Sequence, residues 1–439
     1  MKFGGTSLSA AKRIHTLCKI VSRQKGKHPV VVVSALAGVT NLLISLPTLS
    51  VTHQARILRE IRKTHKLLIE EFFHKKAHQE VMAYIDKQLD KLAAIVKKAQ
   101  TDSKEDFDVI ASFGEIMSSF IITRALEQEG IMAFQIIATD LIITNNTFGA
   151  AEFLPKLTTA GIKRVIKPII KDGIVPIVTG FIGATRDGKT TTLGRGGSDY
   201  TASILGFVLR ANEIQIWTDV DGIFTADPRI VKTASPIKTI SFKEASELAT
   251  FGARVLHPKS IKPAIQAGVP VRVLNSFNPD GPGTLIVENP RRSRPVRAVS
   301  CKKRIILVNI YSEEMLLQKG FFARIFSLFA KYGISVDLVS VSEVSVSITL
   351  DNEGMLTKVV EELRKFSSVT VKRNLAIVSI IGKGITRSAN LPKAIFATLA
   401  KQKIPVRMVS LGATDINISL VIDNDRADDA VETLHGIIA

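Results

Sequence analysis

Cysteine is scarce in this 439-residue chain, which carries only Cys18 and Cys301. Two thiols cannot build a disulfide framework, so the small disulfide-stapled secreted classes are excluded and a reducing compartment is expected. Aromatic residues are also few, at 6% with a single Trp. Acidic side chains number 40 against 59 basic ones, leaving a formal charge of +19. Such a balance would suit a polyanion. However, basic and aromatic residues do not interleave and no zinc-finger spacing occurs. The charge therefore reads as solvated surface or as attraction for small anionic substrates, and no nucleic-acid partner is expected. Long apolar runs are lacking too. The longest strongly apolar stretch, residues 29–39, falls short of the roughly 20 residues that cross a bilayer, so no membrane partner is expected. The opening residues already read as a strand and a glycine turn, so no signal peptide is expected and the location is read as cytoplasmic.

Against these absences, 46% of residues are hydrophobic and 23% charged, an ordinary balance for a packed core. At roughly 150 residues per unit, the length suggests about three domains. Residues 1–285 alternate short β-branched runs with longer helical patterns, the signature of a layered α/β domain. Strands are predicted at 29–34, 174–179, 213–218 and 269–274, with a helical insertion over 54–100. The segment 278–300, rich in Pro, Gly and Arg, reads as the linker, and 291–304 holds seven basic and no acidic residues. Boundaries are drawn at 1–285, a linker at 286–303, and two modules at 304–373 and 374–439.

The C-terminal part repeats. Strand, helix, two strands, helix and strand are predicted over 304–311, 321–332, 334–341, 344–350, 354–366 and 369–372. The first helix carries Phe322, Ile325, Phe326 and Phe329 at helical spacing and stops at Gly333. A second round follows at 375–381, 391–401, 406–411, 416–422 and 427–437, without a last strand. These are two ferredoxin-like βαββαβ units. Because a bare sheet edge is a liability, residues 295–300 are expected to supply the missing strand.

Three glycine loops attract attention, and one pattern misleads. Residues 183–190 fit the G-x-x-x-x-G-K-[ST] phosphate-loop pattern, but its mechanism needs a helix opening at Lys189-Thr190. Three threonines, Thr190–Thr192, follow instead, and threonine runs favour strand. A β-hairpin turn is predicted. The later loop Gly194-Arg195-Gly196-Gly197-Ser198-Asp199 leads straight into a helix, which makes an anion site. Arg195 can fork onto a carboxylate. Lys2-Phe3-Gly4-Gly5-Thr6 and Ser34–Thr40 likewise follow strands. Three such loops at strand ends suggest a nucleotide and an anionic substrate in one cleft.

Four ordered segments then carry a resemblance. Residues 2–7 (KFGGTS), 190–202 (TTTLGRGGSDYTA), 217–229 (WTDVDGIFTADPR) and 251–258 (FGARVLHP) resemble motifs of the aspartokinases, over essentially the whole chain. The resemblance implies an amino-acid kinase fold, an open and mostly parallel sheet sandwiched by helices, followed by two ACT modules. It implies ATP-dependent phosphorylation of the L-aspartate side-chain carboxylate, with Mg²⁺ entering on ATP and no dedicated metal site. By motif, the catalytic residues are Lys2, Asp199 and Arg195. Substrate would meet Ser34, Thr40, Glu115, Phe181, Arg195, Gly196, Gly197 and Ser198. ATP would meet Lys2, Gly4, Gly5, Thr6, Thr218, Asp219, Phe224, Arg229 and Arg254. Two positions depart from the family: Arg254 stands where many relatives have Lys, and Phe224 where they often have Tyr.

The segments around 315–322 and 335–343 resemble the lysine-sensitive subgroup. That resemblance implies L-lysine as inhibitor, held by Met315, Gly320, Phe321, Phe322, Ser335, Val336, Asp337, Ser342 and Glu343, with Asp337 on an ammonium group. Threonine, or no effector, remains open, and Phe322 replaces a smaller aliphatic side chain. A homodimer through ACT sheets is expected, with pairing into tetramers open, and a monofunctional enzyme since no second catalytic domain follows. The competing readings are another amino-acid kinase, or a non-catalytic amino-acid sensor with a kinase-like body.

Overall fold

Runs of β-branched and aromatic residues form the strands of the first unit, eight in one sheet and two, β5 and β6, in a separate hairpin. In chain order these are β1 (Lys2–Phe3), β2 (Val31–Val33), β3 (Ala133–Ile136), β4 (Val175–Thr179), β5 (Ile182–Ala184), β6 (Thr190–Thr192), β7 (Ile214–Thr218), β8 (Thr239–Ser241), β9 (Val271–Asn275) and β10 (Thr284–Val287). The computed structural model describes residues 1–252, 256–290, 295–316, 319–411 and 415–437. Among these the chain divides into two compact units, one of 1–223, 238–242 and 255–289, the other of 224–237, 243–254 and 290–439.

The sheet of the first unit runs β3-β4-β2-β1-β7-β9-β10-β8. It is parallel from β3 to β9; β10 runs antiparallel to β9, and β8 at the edge runs parallel to β10. Val31 and Val33 join the core that faces the helices Ala11–Arg23, Val51–Phe72 and Lys104–Gln128. Val32, between them, is equally buried outside that cluster. Burial on both faces is what continuous apolar strands predict for a parallel sheet. From β1 the chain steps to β2 on one side and later returns to β7 on the other. That reversal opens a crevice at the carboxyl ends of the central strands.

The expected insertion at 54–100 is a pair of helices, Val51–Phe72 and Lys75–Val96. The helix Lys104–Gln128 corrects the reading of apolar runs. By length and composition it could cross a membrane, but its most apolar window is 78% buried within the fold. Polar residues spread along it hide the stretch from a search for uninterrupted runs. The phosphate-loop pattern folds as the β5–β6 hairpin, with Lys189 paired to Glu105 at 2.9 Å.

The second unit holds β11 (Ala298–Tyr311), β12 (Val339–Val341), β13 (Ser345–Leu350), β14 (Ser368–Ile381), β15 (Val406–Leu411) and β16 (Asn417–Asp423), in the order β12-β13-β11-β14-β16-β15. Two of these strands serve both modules. The C-terminal half of β11 pairs with the N-terminal half of β14, and Ala298–Lys303 pairs with the Leu375–Ile381 half. Left-handed residues Arg304 (φ 62°) and Asn374 (φ 56°) mark where the halves meet. The second module thus takes its fourth strand from ahead of the first module. The strand predicted at 334–341 shrinks to Val339–Val341. Before it, the Asp337 and Leu338 amides are taken by the Thr349 carbonyl and hydroxyl, an irregular bend rather than a regular ladder. Segments 224–237 and 243–254 group with this unit and not with the rest of residues 1–285.

Candidate active site

Lys2 lies on a strand of two residues wedged between β2 and β7. Its ammonium Nζ sits 2.7 Å from Asp199 Oδ1, and both side chains are only 12% exposed. Asp199 occupies the first turn of helix Gly197–Leu209, whose N-cap Gly196 adopts φ 70°. The ion pair therefore stands where free backbone N–H groups and the helix dipole favour anions.

Glycines set how closely the loops approach. A Cβ on Gly5 would stand 2.7 Å from the Ala35 carbonyl oxygen and 3.1 Å from the Ala37 nitrogen. The loop after β1 can thus lie flat on the loop after β2. A Cβ on Gly197 would meet Phe181 at 2.6 Å. Phe181 itself holds φ 70°, a strained conformation for a large side chain. It is pinned from both sides: its N–H donates to Thr201 Oγ1 at 3.1 Å, and its carbonyl accepts the Leu193 N–H at 2.8 Å.

Glu115 is buried on helix Lys104–Gln128, facing the loop after β2. Its Oε1 accepts the Ala35 N–H at 3.1 Å, and its Oε2 is buried without a hydrogen-bond partner. Burial pushes its pKa up to about 8, against the pull of the backbone donors and of Lys2. One spare oxygen in a dry place is a demand for a cation or donor. Ser34 closes the same corner, its carbonyl accepting the Ser118 hydroxyl at 2.7 Å. Thr40 is half-buried in the short helix Val39–Ser45 beyond Gly38. Ser198 is buried under Gly180, and Arg195 is exposed at the loop tip.

Ser118 carries no signal in the sequence, while His257, just before Pro258, reads there as a loop cap rather than a catalytic group. His257 packs its Cβ 3.0 Å from where a Gly196 side chain would begin. Burial, with Arg195 and Lys259 nearby, lowers its pKa.

The pattern of the amino acid kinase family matches residues 1–275, and that of the ACT domain matches 378–436. The chain is similar to chloroplastic aspartokinase 3 of Arabidopsis thaliana, 39% identical over 99% of this chain and 80% of that one. It is 34% identical to lysine-sensitive aspartokinase 3 of Escherichia coli strain K12, across 99% of this chain and 97% of the relative. The crystal structure of E. coli aspartokinase III with aspartate and ADP superposes with a TM-score of 0.89, covering 99% and 98% of the two chains. The same enzyme with lysine and aspartate gives a TM-score of 0.85 over the same shares.

The chain belongs to the aspartokinase family.

For an aspartokinase, the expected nucleotide residues fall into two groups. Gly4, Thr6, Thr218 and Asp219 lie at the strand ends of the first unit, where the Gly4 N–H donates to the Trp217 carbonyl at 3.1 Å and Thr218 donates to Asp219 at 3.1 Å. Phe224 and Arg229 belong to the second unit, and Arg229 forks onto Asp227 two residues away. Arg254 lies outside the described residues.

The residues expected around an effector all lie in the second unit. Gly320 (φ 88°) caps helix Phe321–Lys331. Phe321 is buried in the module core against Phe366, while Phe322 is 43% exposed. Ser342 meets Ser345 in a tight turn beside exposed Glu343, and Met315 and Val336 pack at the rim of the core. Ser335 is exposed. Asp337 already holds an ammonium group, with Lys302 Nζ at 2.8 Å from both its oxygens and 2.7 Å from Asp351.

Proposed function

We propose that this aspartokinase transfers the γ-phosphoryl group of ATP to the side-chain carboxylate of L-aspartate, giving 4-phospho-L-aspartate and ADP. The observation that carries the reading is the Lys2–Asp199 pair at a glycine-capped helix N-terminus, beside a buried Glu115 with an unpartnered oxygen. The substrate carboxylate, with a pKa of about 3.9, is ionised before it binds. Its oxygen attacks the γ-phosphorus, and the bond to the β–γ bridging oxygen breaks with its electron pair leaving on ADP. No proton moves, so no general base is required. Catalysis is placement and charge neutralisation.

Lys2 supplies the cation to the transferring oxygens, and Asp199 fixes its direction. Gly4, Gly5 and Thr6 offer backbone to the phosphates. Arg195 and Ser198 take a substrate carboxylate at the helix N-terminus, with Gly196 and Gly197 allowing close approach. Glu115 takes the ammonium group, and Ser34, Thr40 and Phe181 shape the walls. Among the described residues no group of three or more His, Cys, Asp or Glu could hold a metal. Mg²⁺ would enter on the ATP phosphates with its waters. Asp219, exposed and bonded to the Thr218 hydroxyl, keeps oxygen free to receive such a water. Magnesium would neutralise phosphate charge.

L-lysine acts as feedback inhibitor at the ACT modules, a reading supported by the lysine-sensitive E. coli relative and its lysine complex. Inhibition requires lysine to bind an inactive state more tightly than the active one. The enzyme works in the cytoplasm as a homodimer through its ACT sheets. The test is hydroxamate formation from Mg–ATP, L-aspartate and hydroxylamine, with and without millimolar L-lysine. Aspartate-dependent hydroxamate suppressed by lysine is expected. Folded protein that binds ATP but forms no hydroxamate would overturn the reading.

A further inference from the structure

Asp108 is a carboxylate with no assigned task, 3% exposed on helix Lys104–Gln128. Its Oδ2 accepts the Gly149 N–H at 2.9 Å and the Thr192 N–H at 2.8 Å, and its Oδ1 accepts the Thr192 hydroxyl at 2.6 Å. These donors are neutral, and burying a charge without a counter-ion is costly unless its hydrogen bonds are complete. An amide in the same place could take both N–H groups on its oxygen and donate to the Thr192 hydroxyl, but only as neutral bonds, so Asn would keep the pattern and remove the charge that strengthens it.

The two segments it joins lie against each other. The Ala151 N–H donates to the Thr192 carbonyl at 2.9 Å. Gly194, at φ 76°, comes so close that a Cβ there would stand 3.2 Å from the Gly149 carbonyl oxygen. Arg195 follows immediately. Asp108 therefore holds the root of the arginine loop, and it does so from the helix that also carries Glu115.

Asp108 and Glu115 are seven residues apart, two turns of helix, so they share a face about 10 Å apart along the axis. One carboxylate grips the loop that presents Arg195. The other grips Ala35, and one turn further Ser118 grips Ser34. The helix spans both substrate-facing loops as one rigid element.

We propose that Asp108 is a positioning residue for aspartate binding, acting through Arg195 by fixing where its loop leaves β6 relative to Glu115. The inference rests on the reading above that Arg195 and Glu115 hold the substrate's carboxylate and ammonium groups.

The test is steady-state kinetics on Asp108→Asn, Arg195→Ala, Glu115→Gln and the two doubles containing Asp108→Asn. Losing a charge-assisted bond at the loop root raises the KM for aspartate on the order of tenfold, with the KM for ATP unchanged. In the Arg195→Ala background Asp108→Asn adds little, since its effect passes through Arg195. In the Glu115→Gln background it multiplies fully. Thr192→Val, which removes one donor at nearly constant shape, gives the same split in smaller measure and serves if Asp108→Asn does not fold. Equal rises in both KM values, an unchanged aspartate KM, or full multiplication with Arg195→Ala would each overturn the proposal. If Arg195→Ala itself leaves the aspartate KM unchanged, the underlying site assignment fails instead.

Discussion

Glu115 accepts the Ala35 N–H at 3.1 Å through one carboxylate oxygen and leaves the other buried and unpartnered. Its pKa, raised by burial to about 8, favours the neutral acid at pH 7 before aspartate binds. An arriving ammonium group favours the anion, so aspartate binding expels a proton. Calorimetry at pH 7 in two buffers of different ionisation enthalpy should show that release. Aspartate affinity should rise from pH 6 to pH 8 and then level. Glu115→Gln should abolish both effects.

The same shift has a stability consequence. A folded pKa above the unfolded value favours the fold while the group is protonated in both states, below about 4.5. That advantage is lost as pH rises through about 8. Ligand-free protein should therefore lose thermal stability between these limits, and Glu115→Gln should flatten that part of the profile.

Two lysines compete for the phosphate role by pattern alone. Lys2→Ala should lower kcat by about 10²–10³, the scale of removing one oriented charge stabiliser. Lys189→Ala breaks only an exposed pair with Glu105, worth about 0–1 kcal/mol, and should change kcat less than twofold. The reverse ranking would restore the phosphate-loop reading of residues 183–190.

Gly5→Ala would put a methyl carbon 2.7 Å from a backbone oxygen, which no rotamer change can relieve. Overpacking of this kind costs about 1–3 kcal/mol, and kcat should fall with it because the loops after β1 and β2 separate. Gly26→Ala, with open space around it, should leave melting temperature and kcat unchanged.

Asp337→Asn weakens the ammonium site on the second unit and should raise the lysine concentration for half-inhibition at least about tenfold, the scale of a lost charge pair. An unchanged inhibition curve would move the effector away from Asp337.

Much of this was legible in the chain. Threonines 190–192 announced a hairpin because their branched side chains prefer strand, and the glycines at 194–197 announced a helix N-terminus. Lys2 and Asp199 were separately visible, but their pairing follows from β1 lying centrally in the sheet, which no local pattern encodes. Asp108 was invisible for a related reason. Its three donors come from segments distant in sequence, and a lone aspartate in a helix looks like surface. The bend before Val339 escapes the alternating pattern because Thr349 competes for the backbone amides there. The helix Lys104–Gln128 was overlooked as an apolar element because polar residues that bind other loops interrupt its run.

The strand Ala298–Lys303 comes before both regulatory repeats in the sequence yet finishes the second of them. The repeats are therefore threaded through one another and cannot be separated by cutting between them. A fragment starting at residue 304 would keep every regulatory helix and still bare the Leu375–Ile381 edge to any passing chain, inviting fibres rather than a soluble sensor. Any excised regulatory half must begin upstream of Ala298, so that the borrowed strand travels with the repeat it completes.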